Sequence, residues 1–250
     1  MPTINTLLLR ADSLLITAGA GMGVDSGLPD FRGNLGMWQA YPELGRRQID
    51  FTAIANPRAF AQNPRLAWGF YGHRLALYRA TTPHAGFGEL LTLADRLDLP
   101  YFVFTSNVDG QFAKAGFDAD KIYECHGSIH HLQCAKPCSD RIWTADNLTP
   151  VIDNDKCEWL GSLPACSDCG GLARPNILMF GDFAWQSGRT DEQEVRLHEF
   201  LNTHQNPVVI ELGAGVAIPT VRHFGERFAP RLIRINPRDD DLPLQGGISL

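Results

Sequence analysis

Residues Ala18 to Gly33 read AGAGMGVDSGLPDFRG, and they follow a short apolar run, Leu14-Leu15-Ile16-Thr17. An unbroken apolar run of this length suits a parallel strand buried on both faces. Gly19, Gly21 and Gly23 then permit a tight turn in which no Cβ keeps a diphosphate from the backbone amides. The dinucleotide pattern G-x-G-x-x-G is incomplete, because Val24 stands in the third glycine's place, and no acidic residue sits at the usual ribose-binding distance. After the turn, Pro29-Asp30-Phe31-Arg32 sets an acid, an aromatic ring and a guanidinium side by side. Such groups suit the holding and shielding of a charged, aromatic ligand.

Outward from this turn, the chain alternates apolar runs with helical patterns. Thr3 to Ala11 reads as a short amphipathic helix, and Asn34 to Arg47 as irregular, with Trp38 and Tyr41 as packing anchors. Phe51 to Ala80 reads as helices interrupted by Pro57 and Pro64. Thr82-Pro83 predicts a helix start, followed by an apolar stripe at Leu90, Leu91, Ala94 and Leu97. Tyr101 to Phe104, Ile122 to Cys125, Asn176 to Phe180, Pro207 to Leu212 and Leu232 to Ile235 read as strands, the last of them ending the sheet, and Asp191 to His204 as a helix. Several strands end in polar or glycine tips, where open α/β sheets bind ligands. The expected fold is therefore α/β, a Rossmann-like doubly wound parallel sheet. The expected division gives residues 1–33, 82–130 and 172–250 to the sheet domain. A helical insertion at 34–81 and a cysteine-bearing insertion at 131–171 form a small second domain.

The cysteines give an independent signal. Cys166-x-x-Cys169, followed by Gly170-Gly171, has the form of half a zinc knuckle, and Cys134 and Cys138 supply the other half. Four thiolates make a closed structural zinc site. Cys157 is an alternative ligand without a close partner, and Cys125 is left over. Tyr71 and Arg74 are at i and i+3, so on a helix they share a face and can grip a carboxylate together. Gly69 and Gly72 weaken that helix.

The stretch from Gly19 to Arg32 resembles the NAD-binding signature of the sirtuins, NAD-dependent protein deacylases, usually G-A-G-x-S-x-x-S-G-I-P-D-F-R; Gly23 stands where the family has Ser. Thr105-Ser106-Asn107-Val108-Asp109 resembles T-Q-N-I-D, and Glu124-Cys125-His126-Gly127 resembles the His-Gly motif. Arg174 to Asp182 is similar to R-P-x-[IV]-V-x-F-G-E, and Gly213-Ala214-Gly215 stands where the family has G-T-S. The resemblance implies NAD as a consumed co-substrate, bound by Gly19, Ala20, Gly21, Asp30, Phe31, Arg32, Ser106, Asn107, Asp109, Gly213, Ala214, Gly215 and Asn236. It implies His126 as the general base and a structural zinc on Cys134, Cys138, Cys166 and Cys169. The backbone at Leu178, Phe180 and Gly181 would pair with an acyl-lysine peptide as an added strand. Tyr71 and Arg74 resemble the Y-x-x-R of the subgroup that removes succinyl, malonyl and glutaryl groups. The implied reaction releases nicotinamide and O-acyl-ADP-ribose from deacetylation or desuccinylation. The departures at Gly23, Ser106 and Gly213-Ala214-Gly215 leave as alternatives an NAD hydrolase, a mono-ADP-ribosyltransferase or a non-catalytic NAD-binding protein.

Composition limits the classes. In 250 residues, 44% are hydrophobic and 20% charged, ordinary values for a globular protein. A net charge of −6 speaks against general nucleic-acid binding. No apolar run approaches a membrane span. The start, MPTINTLLLRADS, lacks a basic n-region and a small-residue cleavage site, so a cytoplasmic protein is expected.

Overall fold

The computed structural model describes residues 3–29 and 33–250. In chain order the strands are β1 (Ser13–Ala18), β2 (Tyr101–Thr105), β3 (Ile122–Glu124), β4 (Gly127–Cys134), β5 (Ile142–Thr144), β6 (Ile152–Asp153), β7 (Glu158–Trp159), β8 (Ala173–Ile177), β9 (Pro207–Leu212), β10 (Leu232–Ile235) and β11 (Ile248–Ser249). Six of them form one sheet in the order β11-β10-β9-β1-β2-β3, with every neighbouring pair parallel. The chain leaves β1 toward β2 on one side and returns at β9 on the other. The topological switch point thus lies between β1 and β9, where such sheets bind ligands.

β1 explains the double winding. All six of its residues are buried. Leu14 and Ile16 face a core with Phe87, Leu90, Val103 and Ile210. Leu15 faces the opposite core with Phe102, Phe104, Val209 and Phe224. Alternation along a strand sends successive side chains to opposite faces, so a continuous apolar run calls for helices on both. The helix Ala85–Leu97 covers the first face; Gly188–Thr203 and Thr220–Glu226 cover the second.

A third core belongs to the two insertions jointly. The helices Phe51–Ile54, Pro57–Gln62 and Pro64–Ala80 contribute Ile54, Phe60, Trp68, Phe70 and Tyr71. The cysteine-bearing segment contributes Leu132, Ala145, Cys157 and Trp159 to the same cluster. β5, β4 and β8 form a small antiparallel sheet there, and β6 pairs with β7 as a hairpin. Gly69 and Gly72 do not interrupt the helix, which runs unbroken from Pro64 to Ala80. They let the hairpin approach: a Cβ on Gly69 would lie 1.9 Å from the Cys157 carbonyl oxygen, and one on Gly72 would lie 2.9 Å from Trp159. The helical cost of glycine is accepted here for close packing.

Four expectations need correction. Residues 34–47 are not irregular but carry the helices Gly33–Ala40 and Pro42–Arg46, because Met37, Tyr41 and Leu44 find burial in the third core. The helix expected at Thr82-Pro83 begins at Ala85, capped by His84, whose Nδ1 accepts from the Gly86 N–H at 3.0 Å. The apolar run Asn176–Phe180 is not a strand of the main sheet. The strand is Ala173–Ile177, antiparallel to β4, and its buried Arg174 and Asn176 disguised it. Finally, Leu232–Ile235 is not the last strand, since Ile248–Ser249 pairs beyond it.

Replacing Gly69 by Ala is expected to destabilise the protein by about 1–3 kcal/mol through overpacking against the Cys157 carbonyl. Urea unfolding checks this: the midpoint should fall with the slope unchanged, and an unshifted midpoint would show that the hairpin yields freely.

Candidate active site

The glycine turn is built against the end of β9. The Gly19 N–H donates to Leu212 O and the Gly21 N–H to Gly213 O, each at 3.0 Å. A Cβ on Gly19 would lie 2.8 Å from Gly213 O, and a Cβ on Gly213 (φ +58°) would lie 2.4 Å from the Met22 nitrogen. The two turns therefore meet backbone to backbone across the switch point. Two of the amides that the sequence offers to a diphosphate are already bonded inside the protein. The chain then enters a 3₁₀ turn, Ala20–Ser26. Gly23, at the place where the resembled signature has Ser, faces Leu28, whose Cδ1 would lie 3.0 Å from an added Cβ. His84 ties the turn to the following helix: its N–H donates to Ser26 Oγ, and its Nε2 lies 3.0 Å from Met22 O. Asp30, Phe31 and Arg32 lie outside the described residues.

Beside this turn opens a cleft of about 380 Å³, within the range of small-molecule sites. It brings together Gly19, Ala20, Ser106, Asn107, Asp109, His126, Gly213, Ala214 and Gly215 with Tyr71, Arg74, Leu178 and Phe180. Gly21, Gly181 and Asn236 do not line it. Asn236 is buried with its Nδ2 donating to Ala214 O at 2.8 Å, while its Oδ1 accepts from the N–H groups of Arg238 and Asp239. Its side chain thus holds the Gly213–Gly215 turn from behind.

The tip of β2 is fixed to the glycine turn. Asn107 Nδ2 donates to Gly19 O at 3.0 Å, and Thr105 Oγ1 donates to Ala18 O at 2.8 Å. Asp109 is buried, with Oδ1 accepting from the Gln111 N–H at 2.9 Å. Burial pushes its carboxyl up to about 6; the Gln111 N–H and the Arg74 charge pull it down, and Glu124 adds to the rise. His130 places Nε2 2.9 Å from Asp109 O, across the face of Gly110.

His126 sits between β3 and β4, half-buried, with Nε2 3.5 Å from Thr220 Oγ1. Burial lowers its pKa below 6.5, and a hydrogen bond to the Ser106 backbone works against that shift. The ring is therefore neutral near pH 7 and able to take a proton. Its carbonyl accepts from the Leu178 N–H at 3.0 Å, so His126 and the 178–181 segment are directly bonded. The Phe180 N–H is bonded to Ala55 O at 2.9 Å. An added strand along this segment would therefore rely on its carbonyls. Arg174 and Asp182, both fully buried, pair at 2.8 Å beneath it, and Asp182 also accepts from the Met179 and Ala184 N–H groups.

At the far end of the cleft, Tyr71 is buried and stacked on Phe60, and burial pushes its phenol up to about 12. Arg74 is 7% exposed. Its guanidinium carbon lies 5.2 Å from the Phe70 ring centroid and 5.7 Å from that of Tyr71, close enough for cation–π attraction. Thr220 and Tyr78 are partners that sequence alone missed. Thr220 is 94 positions from His126 and carries no motif. Tyr78 had a signal: it stands at i+4 from Arg74 on one helix face.

Away from the cleft, the sulfurs of Cys134, Cys138, Cys166 and Cys169 lie within 4.8 Å of one another. Cys134–Cys169 and Cys138–Cys166 are each 3.7 Å apart. A tetrahedron with Zn–S bonds of about 2.3 Å has edges of about 3.8 Å, so the cluster fits one structural zinc. Cys157 is not in the cluster; it is buried among apolar residues of the third core, and burial pushes its thiol up to about 12. Cys125 lies outside it too, its thiol also raised to about 12 by burial.

The sequence profile described as the Sir2 family matches residues 19–201. An NAD-dependent protein deacylase of Pyrococcus furiosus is 30% identical over 181 residues, covering 72% of this chain and 65% of that protein. One of Pyrococcus abyssi is 32% identical over 179 residues, covering 70% and 64%. The matches thus span less than two thirds of these relatives. An NAD-dependent protein deacetylase of Saccharolobus solfataricus is 28% identical over 213 residues, covering 84% of this chain and 74% of that one. Among solved structures, a Sir2 homolog–NAD complex superposes with a TM-score of 0.74 at 25% identity, covering 100% of this chain and 88% of that chain. A mutant Sir2 homologue in complex with ADP-ribose gives 0.72 at 25% identity, covering 100% and 90%.

Two outcomes are expected. Metal analysis should find one zinc per chain, and its removal should lower Tm in a way that added zinc restores; a metal-free chain of unchanged Tm would remove the site. The raised carboxyl of Asp109 means that the folded state holds this proton more tightly than the unfolded one. Its contribution is favourable below the ordinary value of 3.8 and is lost as pH rises to about 6. Asp109→Asn should therefore be more stable than wild type at pH 8 by on the order of 2 kcal/mol, with the gap closing by pH 4. Denaturant titrations at both values check it.

Proposed function

The chain belongs to the Sir2 family, and from that premise we propose that it is an NAD-dependent protein-lysine deacylase. The observation that carries this reading is the single cleft in which the glycine turn, Asn107, Asp109, His126 and the Tyr71–Arg74 pair converge from four separate stretches of chain. The cradle suits NAD, because glycine backbones without side chains meet at the switch point. When bound, NAD supplies a nicotinamide leaving group and the ribose to which the acyl group passes.

The chain's own residues do the rest. Gly19, Ala20 and Gly21 shape the diphosphate site, together with Asp30, Phe31 and Arg32. Ser106 and Asn107 face the ribose, and Asp109 holds the nicotinamide carboxamide. Gly213, Ala214 and Gly215 border the adenosine half, with Asn236 acting through the turn it holds. His126 takes a proton from a ribose hydroxyl at Nε2, beside Thr220 Oγ1. The substrate peptide lies along Leu178, Phe180 and Gly181, and its acyl-lysine enters the cleft toward Tyr71 and Arg74. A buried guanidinium beside a neutral phenol favours an acyl group that ends in a carboxylate. We therefore propose desuccinylation or demalonylation alongside deacetylation. Among the described residues no helix is long and apolar enough to cross a membrane.

Turnover of matched acetyl-lysine and succinyl-lysine peptides with NAD tests this. His126→Ala should lose about 10²–10⁴-fold in kcat. The acid limb of kcat/KM should fall below pH 6.5, because burial keeps the imidazole neutral to lower pH. Arg74→Met should lower the ratio of succinyl to acetyl kcat/KM by at least about tenfold. Nicotinamide release without removal of any acyl group would move the protein to the NAD hydrolases.

A further inference from the structure

Tyr78 stands one turn beyond Arg74 on the helix Pro64–Ala80. Arg74 Nε donates to Tyr78 Oη at 2.9 Å and Arg74 Nη2 donates to the same oxygen at 2.7 Å. We propose that Tyr78 is a positioning residue for acyl-group selection: by holding one whole edge of the Arg74 guanidinium, it aims the rest of that fork at the carboxylate of an acidic acyl chain. The proposal rests on the acidic-acyl reading above and names the residue that makes it work.

A guanidinium is planar, donates five hydrogen bonds and accepts none. A phenol facing it must therefore act as acceptor, and one oxygen that receives both Nε and Nη2 fixes the plane and the rotation of the fork. Tyr78 does this without cancelling the charge, because it is a neutral partner; burial raises its phenol above the ordinary 10.0, so it stays neutral at any working pH. A carboxylate in its place would orient Arg74 equally well, but would weaken its pull on a second carboxylate. The ring also packs on its client: its centroid lies 5.3 Å from the Arg74 guanidinium carbon. With Phe70 and Tyr71 on other sides, the charged group has few alternative rotamers. An acyl carboxylate thus meets a fork whose ordering entropy has already been lost on folding.

The main chain of Tyr78 has a second attachment. Its carbonyl accepts from Gln111 Nε2 at 3.1 Å, and the Gln111 N–H donates to Asp109 Oδ1. Tyr78 therefore links the acyl end of the cleft to the Asp109 turn. The orienting bonds come from its hydroxyl, so Tyr78→Phe removes them and leaves the ring contact and the main-chain link in place.

The experiment compares wild type, Tyr78→Phe, Arg74→Met and the double variant on succinyl-lysine and acetyl-lysine peptides at saturating NAD. Tyr78→Phe should raise KM for the succinyl peptide and lower the succinyl-to-acetyl ratio of kcat/KM about tenfold, the effect of leaving a buried donor without its partner. In the Arg74→Met background the same change should not move the ratio further, since both residues act through one guanidinium. A parallel loss on both peptides, or a ratio shift that adds fully to that of Arg74→Met, overturns the proposal. A wild type that desuccinylates, with a Tyr78→Phe ratio unchanged, overturns it while sparing the acidic-acyl reading. A wild type with no desuccinylation sinks both. If Tyr78→Phe fails to fold, Tyr78→Met, which also lacks the oxygen, carries the comparison.

Discussion

The cleft depends on a contact that involves no side chain. At the switch point the turn after β1 and the turn after β9 approach until Gly19, Gly21 and Gly213 lie backbone to backbone. Two N–H groups of the first turn bond to carbonyls of the second. Any Cβ at these positions would fall inside the neighbouring main chain, so residue type is dictated by space rather than by local conformation alone. The contact also sets the height of β2, whose Asn107 and Thr105 reach across to Gly19 and Ala18. Three strand tips are thereby joined before any ligand arrives.

The second constraint is that neither insertion can bury its apolar face alone. The helix Pro64–Ala80 and the β6–β7 hairpin share one core, with Trp68 against Trp159 at 5.5 Å between centroids. Trp68 Nε1 donates to Ala173 O, pinning the helix to β8. Because Tyr71, Arg74 and Tyr78 project from this helix, the position of that end of the cleft is set by the cysteine-bearing segment. A zinc held by the four thiolates would act on the cleft only through that packing.

Ion pairs, two of them fully buried, then place the segments that border the cleft. Glu124, two residues before His126, pairs with Arg189, and Arg174 pairs with Asp182 under the 178–181 segment. Arg234 pairs with Glu211 at 2.5 Å, close behind Gly213. Such pairs add little net stability, yet removing one partner is costly, so they favour a unique arrangement. Gly225 leaves the room that Glu211 needs: a Cβ there would lie 2.8 Å from its Oε2.

Much of this was legible in the sequence, because some of its signals are local. The apolar run Leu14–Thr17 followed by glycines determined a strand buried on both faces and a turn at its end, through side-chain alternation and the absence of a Cβ. The paired spacing of the cysteines determined a metal-type cluster, and the spacing of Tyr71 and Arg74 placed them on one helix face. Tertiary structure decided what spacing does not encode. Arg174 and Asn176 are polar, yet they lie in a buried strand because Asp182 pairs with the guanidinium and Gln133 and the Gln186 carbonyl accept from the amide. Residues 34–47 are helical because a core assembled from elsewhere accepts Met37 and Leu44. Gly69 and Gly72 look like helix weaknesses until the hairpin stands against them. Which glycine amides remain for a ligand, and that Thr220 meets His126 across 94 positions, depends on how β9 and the helix after it close on the first turn. Local propensity has no term for such contacts, since their energy belongs to surfaces that exist only once the chain has folded.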